Sequence, residues 1–345
     1  MSELINNSRI RIDELKKLIL DLHNGISVEE TKKNLKNKMS EIPYGEIVQA
    51  EEELIAEGLE REEVLKFCDL HSEALKGHID TSNAKKIPNG HPVDIFLKEN
   101  RELEKVIDRV KNIFIEAKLK KDDELVDDIL LKVRAEFNLL MDIEKHYLRK
   151  ENLLFPFLEK YNITGPPMVM WGKHDETRSF LKSCFALFDE AKNVDLKSLI
   201  DFVEMLFNPT LKSIEEMIYK EEKILFPMCM DTLTEIDWFE ILSQSEEIGY
   251  CLYFPDEKWK PEIVDTEKMV FESKGRIKLE TGSFTNEELE AILNTLPVDI
   301  TFVDKDDRVR YFSNGKKRIF NRPKAVLGRQ VQFCHPPSSV HIVNQ

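Results

Sequence analysis

The chain has 345 residues, a net charge of −15 and 41% hydrophobic residues. The hydrophobic content is enough for packed cores, which argues against wholesale disorder, and the length predicts two or three domains. The negative charge argues against a nucleic-acid surface, because such surfaces use Lys and Arg to neutralise phosphates.

The N-terminal sequence and the cysteines indicate the compartment. The start, "MSELINNSRIRIDELKK", lacks a long apolar core, so we expect no signal peptide. No apolar run approaches the ~18 residues of a membrane helix. The five cysteines are odd in number and scattered, which favours reduced thiols over a disulfide framework. We therefore expect a cytoplasmic protein that binds neither nucleic acid nor a membrane.

Residues 1–82 read as a small domain of short helices. Apolar residues at helical spacing in "RIDELKKLILDLHNG" stop at Gly25, a predicted C-terminal cap, and Ser27 with Glu30 forms a capping-box signature. Cys68 and His71 lie one helical turn apart and could serve metal or redox chemistry, although a buried Cys beside a half-exposed His is the commoner situation. The turn-rich segment 83–92 marks a boundary.

A second helical region follows and is expected to span 85–232. Its apolar period predicts four long helices, at roughly 92–118, 122–158, 170–192 and 196–230. Long helices with short connections are typical of a four-helix bundle.

The remaining sequence is mixed. Residues 233–282 read as a connector with a possible strand near "GYCLYF". Residues 283–345 read as a small α+β domain, with a capped helix in "SFTNEELEAILNTLP" and a β-hairpin in "VDITFVDKDDRVRYFS". The whole chain is therefore predicted to be mainly α.

One phrase occurs twice in the bundle region. "EKHYLRKENLLFP" covers residues 144–156, and "EEMIYKEEKILFP" covers residues 215–227. On this alignment Glu144 corresponds to Glu215, Glu151 corresponds to Glu222, and the Leu-Phe-Pro triplets coincide. The two phrases differ where His146 meets Met217 and where Lys150 meets Glu221.

Helical geometry places these carboxylates near apolar stripes. At about 100° per residue, Glu144 and Glu151 fall within roughly 40° of the centre of the stripe that contains Tyr147. Glu215 and Glu222 lie inside the corresponding stripe of the second phrase. Buried carboxylates need cations, hydrogen bonds or protons, so the pattern predicts a shared partner.

Histidines and carboxylates on facing helices are how metal centres are built in bundles. His91 and His174 begin the first and third predicted helices, and His146 lies on the second. Oxygen and imidazole ligands suit iron or manganese, and zinc is also compatible.

On these residues the region 85–230 resembles the hemerythrin-like (HHE cation-binding) family. The resemblance implies that His91, His146, His174 and Glu221 occupy ligand positions, with Glu151, Glu222, Glu144 and Glu215 as further candidates. The chain departs from the family at Lys150, where a Glu ligand is expected, and at Met217, where a His is expected. With these departures, the resemblance implies iron in a mononuclear or dinuclear site, unless a Lys150–Glu221 ion pair replaces a metal.

The flanking regions have resemblances of their own. "LHNG", "EIVQAEEELIAEG" and "FCDLH" resemble the DUF438 domain, which implies an architecture but no activity. Residues 284–345, including "GRQVQFCHPPSSVHIV", resemble the first half of a PAS domain. Because a PAS fold needs about three more strands, the resemblance implies an incomplete domain.

Three functions remain open at this point. The leading hypothesis is a sensor whose bundle metal responds to dioxygen, nitric oxide, iron or redox state and whose PAS-like end relays the change, with dimerisation through that end. A second is a non-haem iron oxidoreductase or iron-centre repair protein. A third is a metal-free adaptor held by Lys150 and Glu221.

Overall fold

The computed structural model describes residues 2–38, 42–120, 126–257, 259–261, 277–279, 282–315, 318 and 322–343. Its N-terminal module is a group of short helices, as predicted. Gly25, at φ 91°, ends the first helix, and the amide of Glu30 bonds the Ser27 hydroxyl at 3.2 Å. The elements are α1 (Ser2–His23), α2 (Val28–Lys38), α3 (Tyr44–Ala56), α4 (Arg61–Leu75), and the parallel strands β1 (Ile42–Pro43) and β2 (Ile79–Asp80).

The second region is a helical bundle, and the mainly α prediction is confirmed. Its second and fourth helices are interrupted, and its third helix begins earlier than predicted. The segments are α5 (Pro92–Ala117), α6 (Asp127–Leu140), α7 (Ile143–Arg149), α8 (Phe155–Lys160), α9 (Gly165–Glu190), α10 (Leu196–Phe202), α11 (Asn208–Lys220) and α12 (Phe226–Thr232).

Widened π turns connect several of these segments. They cover Lys150–Leu154, Val203–Phe207 and Glu221–Leu225, and in each case a proline follows two residues after the turn ends. Proline has no N–H and its ring clashes with the carbonyl four residues before it, so the helix widens there. Two of the turns begin at Lys150 and Glu221, because the Leu-Phe-Pro triplet is repeated.

The region after the bundle departs from its prediction. A capped helix, α13 (Glu235–Ile248), packs against α5 and α7 where a mixed connector was expected. The predicted strand near "GYCLYF" is wrong, because that backbone turns back onto the bundle. The amide of Cys251 donates to Glu99 at 2.7 Å, and the amide of Leu252 donates to Asp142 at 2.9 Å.

The C-terminal segment has the predicted helix and hairpin. Strands β5 (Thr301–Val303) and β6 (Val309–Phe312) pair antiparallel, with an irregularity at Phe302/Val303. Arg329 of this segment forms an ion pair with Glu159 of α8 at 2.7 Å. The elements are β3 (Ile277–Leu279), β4 (Gly282–Phe284), α14 (Asn286–Thr295), β5 (Thr301–Val303), β6 (Val309–Phe312), two 3-10 turns (Lys324–Val326 and Val331–Cys334) and α15 (Val340–Val343).

None of the helices described in these ranges combines the length and apolarity needed to cross a bilayer. The predicted location in the cytoplasm stays a prediction.

Candidate functional site

His146 lies at the centre of a buried polar chain inside the bundle. Its Nδ1 is 2.7 Å from Glu99, and its Nε2 is 3.1 Å from Glu221. Glu99 also accepts from the Arg149 guanidinium. His146 therefore bridges two carboxylates from different helices.

Lys150 and Glu221 form a buried ion pair, with exposed side-chain fractions of 0% and 1%. Asn100 also donates to Glu221, at 3.0 Å. Burial alone would raise the pKa of Glu221, but Lys150 and His146 outweigh it and hold the pKa at about 2. Burial lowers the pKa of Lys150, and Glu221 opposes that change. One of the sequence-based alternatives predicts this pair.

Glu151 and His174 form the second part of the site. Nδ1 of His174 lies 2.7 Å from Glu151, which also contacts Arg178 at 2.9 Å. Burial raises the pKa of Glu151 to about 7, and Arg178 opposes the change. When Glu151 is ionised, Nδ1 of His174 must be the donor, so Nε2 keeps its lone pair. Among the described atoms, this buried Nε2 has no hydrogen-bond partner.

His174 is held as a neutral ring. It stacks on Tyr147, with ring centroids 3.9 Å apart, and its side chain is 0% exposed. Burial, together with the charges of Lys150 and Arg178, lowers the pKa of His174 well below its ordinary value. A neutral imidazole with a free nitrogen is a potential metal ligand.

His91 has a different role from the other two bundle histidines. Its Nδ1 accepts the backbone N–H of Val93 at 3.2 Å, so its side chain caps α5. Its ring packs edge-on against Trp238 and Trp259. Burial lowers the pKa of His91 to about 4. In the described part of the chain, no hydrogen bond or ring contact joins His91 to the other two histidines.

The predicted burial of Glu144 and Glu215 is wrong. Their side chains are 44% and 42% exposed, and they pair with Arg178 and Lys111 respectively. An offset of roughly 40° does not by itself decide burial, because Glu151 has a similar offset and is 2% exposed, whereas Glu144 reaches the rim between helices, where water and Arg178 are accessible. Arg178 contacts both Glu144 and Glu151, so the shared partner of these two carboxylates is a guanidinium.

Glu222 is partly buried, with 22% of its side chain exposed. It pairs with Arg101 and accepts from Asn100 at 3.3 Å. Met217, which replaces the family histidine, is buried at 2% exposure. The fourth helix therefore contributes one deeply buried carboxylate, Glu221, to the interior.

The interior charges are matched without a metal. Two divalent ions would add a large positive charge that nothing in the described interior offsets, and uncompensated buried charge is costly. Within the described residues, no group of three or more His, Cys, Asp and Glu side chains is arranged to hold a metal ion. The residues therefore do not fit a dinuclear centre. The matched pairs are Arg149–Glu99, Lys150–Glu221 and Arg178–Glu151.

A single ion would add less uncompensated charge than two, and holding it with three side chains would require their present contacts to rearrange. His146 and His174 both place Nδ1 on a carboxylate, the arrangement in which metal-bound histidines present Nε2 to the metal. Glu221 supplies an oxygen 3.1 Å from Nε2 of His146. A metal ion there would bind Nε2 of His146 and the Glu221 oxygen in place of their present contact, provided that Lys150 releases Glu221.

Four polar residues of this site were not predicted: the buried Glu99, Asn100 and Arg149, and the partly exposed Arg178. Two of them carry a signal in the sequence. Asn100 lies at helical spacing between Phe96 and Leu103, inside an apolar stripe, and Arg178 follows His174 by one helical turn.

Three family models match the chain in sequence order. Residues 15–81 match a family of unknown function (DUF438), residues 91–229 match the hemerythrin HHE cation binding domain, and residues 289–345 match a PAS domain. A comparison with curated proteins found no match. The chain thus carries a DUF438 segment, a hemerythrin-like HHE cation-binding domain and a PAS segment in that order, and the three resemblances are confirmed.

Proposed function

We propose that the protein is a signalling protein whose hemerythrin-like bundle senses its environment by holding one metal ion, and whose PAS segment reads the state of the bundle. The HHE match supports cation binding, and the family resemblance makes iron the first candidate. His146, His174 and Glu221 are the proposed ligands, and dioxygen, nitric oxide or a change of redox state is the proposed signal.

The observation that carries this proposal is that Glu151 contacts the bundle interior through its side chain and the PAS segment through its backbone. Its carboxylate contacts His174 and Arg178 inside the bundle. Its backbone carbonyl accepts from Arg329 of the PAS segment at 3.4 Å. In the widened turn that carbonyl would bond the N–H of residue 156, but residue 156 is proline and has none. One residue therefore contacts both the proposed sensing interior and the proposed reader.

A cavity beside Glu151 offers a route for a small solute. It has a volume of about 670 Å³ and lies between the bundle and the PAS segment. Its lining includes Glu151, Arg178, Arg329 and Cys334. A ligand or reductant entering here would approach the bundle on the side where Arg329 connects the two parts.

The test follows hydrogen exchange of the full chain before and after anaerobic addition of Fe²⁺. In the parent, iron should change the exchange of residues 322–334. In Arg329→Ala, iron should still bind but the change should no longer reach this segment. Arg310→Ala is the matched control, because Arg310 pairs with Asp304 within the PAS segment and is 53% exposed. An equal exchange response in parent and Arg329→Ala would contradict the proposal.

A second candidate is the metal-free adaptor, which the matched interior charges favour. In this case the bundle is a rigid support, and Lys150 holds Glu221 permanently. Elemental analysis of the anaerobically purified chain separates the two candidates. Iron at a substantial fraction of one per chain supports the sensor. Its absence, together with no effect of added Fe²⁺ on the melting temperature, supports the adaptor.

A further inference from the structure

Two histidines of the N-terminal module face each other across a helix–helix contact. His23 is the last residue of α1, and His71 lies on α4. Their Nε2 atoms are 3.1 Å apart, and the rings are stacked with centroids 5.1 Å apart. Both are buried, with exposed side-chain fractions of 8% and 2%. The sequence paired His71 with Cys68, whose side chain lies outside the described residues.

A carboxylate faces the other nitrogen of each ring. Nδ1 of His23 is 3.7 Å from Glu63, and Nδ1 of His71 is 3.7 Å from Glu51. Both contacts exceed hydrogen-bond length, so the carboxylates act on the rings through their charge, and a metal ion between the rings would require the proton of each ring to be on Nδ1. Each Nε2 then presents a lone pair, and the two lone pairs point at each other. Without a cation between the rings these lone pairs repel each other, and a proton on one Nε2 would turn the contact into an ordinary hydrogen bond.

We propose that His23 and His71 bind a divalent transition-metal ion of the imidazole-preferring class, with zinc as the reference case. At zinc–nitrogen distances of ~2.0–2.1 Å, two ligands separated by an angle between 90° and the tetrahedral value lie roughly 2.9–3.4 Å apart. The observed 3.1 Å falls in this interval. Glu51 and Glu63 lie 3.7 Å from the two Nδ1 atoms, and on metal binding they would close to hydrogen-bond distance as the outer carboxylates that orient the imidazoles.

A shared proton is the competing occupant of the same gap. Burial, followed by the charge of His71, lowers the pKa of His23, so protonation of the pair is disfavoured. A metal ion needs neutral imidazoles and is favoured by the same environment. Water completes the coordination, and the 52% exposure of the Glu63 side chain leaves solvent close to the site.

The ion would join the end of α1 to α4. These helices already contact each other, so the metal would stabilise an existing arrangement. The site is independent of the bundle centre, because neither histidine contacts a bundle ligand in the described structure. Failure of one proposal therefore leaves the other standing.

The test is zinc titration by calorimetry on the chelator-treated full chain. The parent should bind one equivalent of Zn²⁺ that His71→Gln and His23→Gln lose. His71→Cys should retain it, because a thiolate also ligates zinc, and this rescue separates a lost ligand from a lost fold. His78→Gln is the matched control in the same module and should keep the equivalent.

Two results would overturn the assignment. Equal zinc binding by the parent, His23→Gln and His71→Gln would place the ion elsewhere. Absence of this equivalent in the parent would leave a shared proton as the occupant.

Discussion

At the scale of single residues, Lys150 decides what the bundle interior can hold. Its ammonium contacts Glu221 with essentially no exposure to water, at the position where the family resemblance implies a Glu ligand. A fixed cation and a metal ion compete for the same carboxylate. This substitution therefore separates the proposed one-ion bundle from a dinuclear arrangement.

Lys150→Met should strongly destabilise the metal-free protein. Removing one partner of a buried pair strands the other charge and costs about 3–5 kcal/mol. A divalent cation should recover part of this loss, because it supplies positive charge to Glu221. The free energy of unfolding by urea, with chelator and with Fe²⁺, measures both effects.

Lys145→Met is the control for this prediction. Lys145 lies on the same helix, pairs with Asp142 and is 44% exposed, so its loss should change stability by less than about 1 kcal/mol. If Lys150→Met behaved like Lys145→Met, the interior would not depend on the ion pair.

The sequence predicted part of this site and missed another part. The helical period was enough to select Glu151 as inward-facing, because a polar residue in an apolar stripe is a local property, whereas His146 and Glu221 were selected through the family resemblance. The helical period misplaced Glu144, because an angle of 40° from the centre of the stripe does not determine whether the side chain is buried or reaches a cation at the edge of the helix contact. The contact between His23 and His71 joins residues 48 apart and leaves no local pattern.

At the scale of secondary-structure elements, the π turn at Lys150–Leu154 connects the bundle with the PAS segment. Pro156 removes the N–H that would satisfy the Glu151 carbonyl, and Arg329 donates to that carbonyl instead. The repeated triplet with proline was visible in the sequence. Its partner Arg329 was not, because 178 residues separate Arg329 from Glu151.

Pro156→Ala and Arg329→Ala should therefore be coupled. Alanine restores a backbone donor for the Glu151 carbonyl, so the loss of Arg329 should cost less in the Pro156→Ala background. The expected coupling is about 1 kcal/mol, the usual net value of one hydrogen bond. A double-mutant cycle of unfolding free energies measures it.

Pro227→Ala is the matched control for this cycle. Pro227 follows the equivalent π turn of the fourth helix, and within the described residues no backbone carbonyl of that turn accepts a hydrogen bond from Arg329. Pro227→Ala and Arg329→Ala should add within about 0.5 kcal/mol. Additivity in both cycles would show that Arg329 does not serve the Glu151 carbonyl.

At the scale of the whole molecule, Asp69 ties the N-terminal module to the bundle. It pairs with Lys173 of α9 at 2.6 Å and with Lys220 of α11 at 2.5 Å. Burial would raise the pKa of Asp69, but Lys220 and Lys173 outweigh it and the pKa is lowered. The stability from this cluster is therefore present above the unfolded pKa of ~3.9 and is lost as the pH falls below it towards the folded value.

Asp69→Asn should remove this dependence on pH. The difference in unfolding free energy between parent and Asp69→Asn should be largest above pH 5 and should shrink as the pH falls through 4. Asp189→Asn is the control, because Asp189 is 65% exposed and pairs with Arg134 on the surface. A parent–variant difference that stayed constant from pH 6 to 3 would contradict the role of Asp69.

The order of the three segments was predictable from short sequence motifs, because each module has its own local pattern of apolar and polar residues. How the modules contact one another was not, since Asp69, Lys173 and Lys220 are ordinary charged residues in the sequence. Their importance comes from the fold, which brings one carboxylate and two partly buried ammonium groups together.

The most direct test of the account is the number of iron atoms per chain in anaerobically purified protein. It should be measured in a His71→Gln background, so that the N-terminal pair does not contribute. We expect up to one iron atom per chain in this background. His146→Ala should clearly lower the iron content, and Lys150→Glu should bind a second iron atom. Chelator should lower the melting temperature of the iron-loaded chain but not of His146→Ala, because metal bound to the folded state adds to stability. Two irons per chain with Lys150 intact, or iron unchanged by His146→Ala, would contradict the account.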